Sequence, residues 1–112
     1  MTLLRAYLLF ALVVISVYTL TVIAQDGPDL FTPFFGDMSA IGWPGQFNLD
    51  FMFMLSFSAI WTAWRNGFTP GGLGLAVLAF FFGAPFLAIY MTVLSFQTGG
   101  DVRAMLLGPT RA

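Results

Sequence analysis

Three long runs of apolar residues dominate the chain, and shorter segments with more polar residues separate them. The runs cover roughly residues 3–24, 47–64 and 73–96. A membrane-spanning helix needs about 20 mostly apolar residues to cross a hydrocarbon core of about 30 Å. The pattern therefore predicts an all-α integral membrane protein with three transmembrane helices, built as a single membrane domain over residues 1–112.

The first run also has features of a signal peptide. Arg5 could serve as its charged beginning, and Val22-Ile23-Ala24 resembles a cleavage site with small residues. The apolar part of a signal peptide is typically about 7–15 residues long, and this run is longer. We therefore expect the segment to be retained as the first transmembrane helix.

The connection between the second and third runs contains clear turn and helix-start signals. Asn66-Gly67 is typical of a turn that ends a helix. Thr69 followed by Pro70 is typical of a helix start, with threonine as the cap and proline at the first helical position. Within the third run, Pro85 removes a helical hydrogen bond, so a kink is expected there, and the nearby Gly83 adds to that expectation.

The first connection, residues 25–45, is long and unusually apolar. Its central part reads DLFTPFFGDM, which is too apolar for a loop surrounded by water. We expect a long interfacial loop, formed by a shallow re-entry or by a short helix lying in the membrane plane. The tail, residues 97–112, is short and contains a second apolar patch, AMLLG, that could contact the membrane surface or a partner.

The arginines give a weak indication of orientation. With three spans, the N-terminus and the second connection share one side of the membrane, and the C-terminus lies on the other. Arg5 and Arg65 then balance Arg103 and Arg111. The first connection contains neither Lys nor Arg, which favours a cytoplasmic N-terminus and an external C-terminus. The expected location is the inner membrane of a bacterium.

Composition restricts the chemistry available to the chain. Hydrophobic residues make up 59% of it and charged residues 8%, against about 25% charged in a typical soluble domain. It contains no His, Cys, Lys or Glu, so thiolate, imidazole and Schiff-base chemistry are excluded. A net charge of −1 gives no basic surface for nucleic acid. We predict a non-catalytic protein that ligates no cofactor.

Asp50 is the first candidate functional residue, because it lies at the edge of an apolar run. Asn48 could cap the second helix, which would place Asp50 in the first turn, where the helix dipole favours a carboxylate. The functional alternative is that Trp43, Gln46, Asn48 and Asp50 hold the polar end of a lipophilic ligand. At the other end of the same helix, Trp61, Trp64 and Arg65 are typical of interfacial anchors.

Small residues form a stripe on the third predicted helix. They are Gly72, Ala76, Ala79 and Gly83, which recur on one helical face. The second helix offers a similar face with Ser56, Ala59 and Ala63, and we expect the two faces to pack together. The alternative is that the stripe docks a foreign helix or a flat ring. In the tail, Asp101 could stabilise a turn, or Asp101 and Arg103 could contact a partner.

Parts of the sequence resemble a known group of proteins. The stretch WPGQFNLDF, the following W and WR, and the later FLAIYMTVLS and GDVRAMLLG resemble a family of short, uncharacterised bacterial membrane proteins with three spans. The resemblance covers about the last two thirds of the chain. It implies a three-helix membrane protein, and it carries no catalytic residues.

Two classes of function fit these features. The first is a non-catalytic accessory subunit of a larger membrane complex, photosynthetic or respiratory, with helix three and the tail as the docking surface. It would contact other membrane subunits, lipids and the tails of carotenoid, quinone or bacteriochlorophyll without ligating a metal. The second is a small carrier or sensor that binds a lipid or another lipophilic molecule, and a weaker third is a homo-oligomeric transporter.

Overall fold

The computed structural model describes residues 1–108 and residue 111, and all of its regular elements are helices. Residues 109, 110 and 112 of the predicted tail lie outside the described residues. The helices follow one another along the chain as α1 (Thr2–Asp26), α2 (Phe31–Ser39), α3 (Trp43–Arg65), α4 (Pro70–Gln97) and α5 (Val102–Leu107).

The three apolar runs lie within α1, α3 and α4. By length and composition, α1 and α4 are long and apolar enough to span a membrane. The first turns of α3 carry Gln46, Asn48 and Asp50, so α3 is less apolar than the other two. The predicted all-helical fold is confirmed for the described residues, and α1 and α4 have the length and composition of a membrane span. The three predicted transmembrane spans stay a prediction.

The helix α2 forms within the long first connection, as one of the two expected arrangements requires. Asp29 stabilises its beginning, because the carboxylate accepts hydrogen bonds from the Thr32 hydroxyl at 2.6 Å and from the Thr32 backbone N–H at 3.2 Å. The hydrogen bond from the Thr32 hydroxyl, followed by the one from its N–H, lowers the pKa of Asp29. The cap is therefore present at neutral pH and is lost as the pH falls through that lowered pKa.

The contact between α2 and α3 depends on Gly45. This residue is buried, and a Cβ atom placed on it would lie 2.8 Å from the Cα of Met38. The backbones of the two helices can therefore approach closely only because position 45 has no side chain. Asn48 strengthens the same contact, since its amide donates a hydrogen bond to the Phe34 carbonyl at 3.1 Å.

The beginning of α3 differs from the sequence-based prediction. The helix starts at Trp43, with Gly42 as its N-cap and Pro44 in its first turn. Proline at this point costs nothing, because the first N–H groups of a helix have no internal partner. The prediction that Asn48 caps the helix and that Asp50 lies in its first turn was therefore wrong.

The turn between α3 and α4 follows the prediction. Asn66 ends α3, and Gly67 adopts a positive φ of 67°. The Thr69 hydroxyl accepts a hydrogen bond from the Gly72 N–H at 3.1 Å, and Pro70 is the first residue of α4. Local sequence signals therefore fix the start of α4.

A sharp break interrupts α4 at Gly83. This glycine has φ 57° and ψ −129°, a conformation that lies outside the helical region and is accessible mainly to glycine. Pro85 follows in the first turn of the continuing helix, where its missing N–H is tolerated. The expected kink is confirmed, and it divides α4 into a first arm, residues 70–82, and a second arm, residues 84–97.

The break turns the second arm back along the first. A Cβ on Gly72 would lie 2.6 Å from the Cβ of Asn66, and the Asn66 amide donates a hydrogen bond to the Tyr90 hydroxyl at 2.9 Å. These contacts hold the Cα atoms of residues 72 and 90 within about 16 Å, whereas a straight helix would separate them by about 27 Å. The run at 73–96 therefore does not form one straight rod.

Helix α1 contacts the rest of the chain mainly at its beginning. Arg5 Nε donates a hydrogen bond to Ser95 Oγ at 2.9 Å, and Arg5 Nη2 donates one to the Ser95 carbonyl at 3.0 Å. The guanidinium lies 3.8 Å from the centre of the Phe96 ring. Leu8 is the one buried residue of α1, so most of this helix leaves its side chains exposed.

The tail folds back onto the end of α3 that adjoins the turn. Arg65 donates hydrogen bonds to the carbonyls of Met105 at 2.6 Å and Ala104 at 3.2 Å. The N-terminus lies at this end too, since Met1 packs against Gly100. The prediction that the tail and the second connection occupy opposite ends was wrong, because the bend at Gly83 returns the chain to its starting end.

We expect a substitution of Gly83 by alanine to destabilise the protein. Alanine strains the backbone by about 1–3 kcal/mol in this conformation, and its Cβ would lie 3.1 Å from Leu55 and 3.3 Å from Phe51. The measurement is unfolding by SDS titration of the detergent-solubilised protein, followed by circular dichroism.

Gly74→Ala is the matched control, because the added Cβ would meet no heavy atom within 4 Å. It should be neutral or should stabilise the helix by up to about 1 kcal/mol. Equal unfolding midpoints for the two variants would contradict the role assigned to Gly83.

Candidate lipophilic cleft

An apolar cleft lies between α3 and the bend of α4, and α5 borders it. Its volume is about 550 Å³, within the range of about 300–1,000 Å³ that is usual for ligand pockets. The lining residues come from three helices: Phe51, Met54, Leu55, Phe57, Ser58, Trp61, Gly83, Ala84, Leu87, Met91 and Leu106. Their chemistry suits an aliphatic chain or a ring without charge.

A second hollow of about 550 Å³ runs along α1. Its lining residues, which lie between Val13 and Gln25, all belong to that one helix. A hollow with one wall is a groove on the surface of α1, whereas residues from three helices line the cleft between α3 and α4.

Ser58 provides the polar feature of the cleft wall. Its hydroxyl oxygen is shielded from solvent and has no hydrogen-bond partner among the described residues. Thr62, one turn further on, bonds to the Ser58 carbonyl and leaves the Ser58 hydroxyl unused. An unpaired buried hydroxyl costs roughly 1–3 kcal/mol, so the packing around Ser58 carries this cost.

Asp50 lies near the cleft on the same helical face. It precedes Met54 by four residues and Phe57 by seven, which is the spacing of one face of α3. Trp43 precedes Asp50 by seven residues and extends this face towards α2. Asp50 and Trp43 are both exposed, so they stand outside the apolar lining, at the end of the cleft nearer α2.

The structure brings together only part of the predicted polar group. Trp43, Gln46 and Asp50 share one face of α3, whereas Asn48 points to α2. Trp43 packs against Phe47, with 6.1 Å between their ring centres. A four-residue site made of Trp43, Gln46, Asn48 and Asp50 is therefore not formed.

The other end of the cleft is closed by a polar network that holds α5. Trp61 Nε1 donates a hydrogen bond to the Leu106 carbonyl at 2.9 Å. Arg65 donates hydrogen bonds to the two preceding carbonyls, those of Met105 and Ala104. The Tyr90 hydroxyl accepts hydrogen bonds from Asn66 at 2.9 Å and from Arg65 at 3.4 Å. The last carbonyls of a helix lack hydrogen-bond donors within the helix, and Trp61 and Arg65 provide donors for those of α5.

The three predicted interfacial anchors have internal contacts. Trp61 and Arg65 bind α5, as described above. The backbone carbonyl of Trp64 accepts a hydrogen bond from Arg111, whose guanidinium lies 4.2 Å from the centre of the Trp64 ring. Trp64 is exposed, whereas Trp61 and Arg65 are half-buried. Of these three residues, Trp64 therefore has the most surface available for an interfacial position.

The small-residue stripe of α4 faces into the protein. Gly72, Ala79 and Gly83 are buried, and Ala76 is half-buried. Gly83 packs against α3 through Phe51 and Leu55. Helices α3 and α4 therefore pack against each other, whereas the pairing of the stripe with Ser56, Ala59 and Ala63 stays a prediction. Three of the four stripe residues have little surface for a foreign helix.

The predicted tail residues Asp101 and Arg103 lie at the beginning of α5. Asp101 caps α5, because its carboxylate accepts hydrogen bonds from the backbone N–H of Arg103 at 3.1 Å and of Ala104 at 3.4 Å. Arg103 is exposed. The turn-stabilising interpretation of Asp101 is confirmed, and partner contact by Asp101 or Arg103 stays a prediction.

The sequence did not reveal the role of Tyr90 or the position of α5. One signal was present: a short helix that ends at Gly108 must find donors for its last carbonyls, and arginine has five N–H donors. Arg65 and Met105 are 40 residues apart. The sequence therefore did not indicate which arginine donates to the last carbonyls of α5.

No family model, curated protein or solved structure matches this chain.

We expect Arg65→Met to loosen α5. Hydrogen bonds to a charged group contribute about 1.5–3 kcal/mol each, and a loss of about 1.4 kcal/mol corresponds to a factor of ten. Hydrogen exchange of the Met105 and Gly108 amides should therefore accelerate at least about tenfold, as measured by mass spectrometry in detergent.

The matched control is Arg103→Met, which removes an exposed guanidinium from α5 itself. Exchange in this variant should match that of the unaltered protein. Similar acceleration in both variants, or in neither, would show that Arg65 does not hold α5 in place.

Proposed function

We propose that this chain is a non-catalytic subunit of a larger assembly in a membrane, where it supplies apolar packing surface. The observation that carries the proposal is the amount of surface that the fold leaves uncovered. The accessible surface is 7672 Å², whereas a compact soluble protein of 12.3 kDa exposes about 6,100 Å².

Helix α1 contributes a large part of this excess. Only 6% of its most apolar 18-residue window is buried, and side chains such as Phe10, Val14 and Tyr18 are exposed. Lipid covers such a surface, and so does a partner helix in the same membrane. Because the stripe on α4 is buried, α1 replaces helix three as the proposed docking element.

The residue inventory supports a role without catalysis. The chain has no His, Cys, Lys or Glu, and two of its aspartates, Asp29 and Asp101, cap α2 and α5. Photosynthetic and respiratory complexes of a bacterial inner membrane remain the proposed hosts. Their quinones, carotenoids and chlorophyll tails can contact an apolar helix that offers no imidazole or thiolate to a metal.

The test is purification from native membranes in a mild detergent, followed by native electrophoresis and mass spectrometry. We expect co-migration with a larger complex at fixed stoichiometry. Phe10→Ala combined with Tyr18→Ala on α1 should release the chain from that complex, because these side chains form the proposed docking face.

The matched control is Phe81→Ala combined with Phe82→Ala, which alters similarly exposed aromatic rings on α4 and should leave the complex intact. A chain that migrates alone, with nothing but detergent and bulk lipid, would refute the subunit proposal.

The cleft favours a second candidate function, the binding of a lipophilic molecule. Its volume and apolar lining suit an acyl chain or an uncharged ring. In the same purification, this candidate predicts that the chain migrates alone or as a homo-oligomer and carries a single lipophile in stoichiometric amount.

A further inference from the structure

We propose that α4 is a re-entrant helical hairpin and that the chain crosses the membrane only twice, through α1 and α3. In this arrangement the N-terminus, the turn after α3 and the tail all lie on the cytoplasmic side, and α2 lies on the opposite side. The inference rests on the membrane location proposed above.

Each of the two arms of α4 is shorter than the hydrocarbon core of a membrane. The first arm has the 13 residues 70–82 and the second the 14 residues 84–97, so each is about 20 Å long. A hydrocarbon core is about 30 Å thick, and neither arm crosses it. The composition of α4 fits a spanning helix, but the break at Gly83 leaves each arm with about two thirds of the necessary length.

By contrast, α1 and α3 are long enough to cross. Their 25 and 23 residues correspond to about 37 and 35 Å. They also run in opposite directions, because α1 begins beside the second arm of α4, whereas α3 ends beside it. Two antiparallel helices with the first connection between them give two crossings.

The non-helical backbone at the bend of α4 packs against α3. Backbone that departs from a helix is tolerated at membrane depth only where protein covers it. Gly83 is buried, and its position lies against the side chains of Phe51 and Leu55 in α3. The spanning helix α3 thus covers one side of the bend.

The arginines are distributed unequally between the two ends of the molecule. We call the end of the molecule that holds all four arginines, Arg5, Arg65, Arg103 and Arg111, the arginine end. Arg5 binds Ser95, Arg65 binds α5, Arg103 belongs to α5, and Arg111 binds Trp64. The described residues place Asp101 there as well.

The opposite end carries acidic residues. Asp37 lies in α2, and Asp26 and Asp29 lie in or beside the connection that leads into it. Three straight spans would divide the arginines equally, whereas the observed fold places four at one end and none at the other. The positive-inside rule then assigns the arginine end to the cytoplasm.

The test is the labelling of single cysteines, for which the native chain is suited because it contains none. The positions are Gly36 in α2, Gly71 at the start of α4 and Val102 in α5. A Cβ at Gly36 or Gly71 meets no heavy atom within 4 Å, and Val102 is exposed. A membrane-impermeant maleimide is applied to intact cells and to permeabilised cells that express each full-length variant.

We expect Gly36→Cys to react in intact cells, and Gly71→Cys and Val102→Cys to react only after permeabilisation. Gln97→Cys, at the exposed end of the second arm, repeats the test should Val102→Cys fail to accumulate. Labelling of Val102→Cys or Gln97→Cys in intact cells, together with Gly36→Cys, would overturn the hairpin.

Two other outcomes overturn different parts of the account. Reaction of Gly71→Cys and Val102→Cys in intact cells, with Gly36→Cys protected, would reverse the assignment of the arginine end. Protection of all three until permeabilisation would show that the chain does not cross the membrane, and the membrane role proposed above would fail independently of the hairpin.

Discussion

The conformation of Gly83 determines where every later residue of the chain lies. With φ at 57°, the backbone leaves the helical path at one residue, and the second arm of α4 returns towards the end of α3. Only because of this return can Tyr90 meet Asn66 and α5 meet Arg65. The cleft depends on it as well, since one wall comes from α3 and the other from residues that follow the bend.

Among the described residues, the hydrogen bonds that the arginine side chains donate go to neutral acceptors. Arg5 binds a serine hydroxyl and carbonyl, and Arg65 binds two carbonyls and a tyrosine hydroxyl. An arginine near the membrane surface can keep its charge accessible to water and headgroups while its N–H groups satisfy helix ends. The same arginines therefore fasten α1 and α5 to α4 and α3, and they concentrate positive charge at one end.

Local features of the fold could be predicted from the sequence, because their causes are local. Asn66-Gly67, Thr69-Pro70 and the capping aspartate at 101 each act within a few residues, and each forms as expected. The position of the kink in α4 was predictable from Gly83 and Pro85. Its angle was not, because the pattern shows where a helix is interrupted and does not show which φ and ψ the glycine adopts.

The errors concerned residues whose roles depend on distant parts of the chain. Asn48 was expected to cap its own helix, but it donates to α2, and the helix had already begun five residues earlier at Trp43. The interfacial position expected for Trp61 and Arg65 stays a prediction, but their bonds to carbonyls about 40 residues further along were not predicted. The Ser58 hydroxyl had no distinguishing signal in the sequence, since its lack of a partner results from the packing of α3 against the bend.

The most direct test of the return of α4 is the distance between spin labels at Gly71→Cys and Gln97→Cys, measured by pulsed electron paramagnetic resonance in lipid nanodiscs. The contacts that hold residues 72 and 90 within about 16 Å place the two labelled backbone positions within about 30 Å of each other, whereas a straight helix separates them by about 39 Å. A single distance distribution centred below about 30 Å, allowing for the label arms, is the predicted result. A distribution centred near 40 Å would contradict the bend and every contact that depends on it.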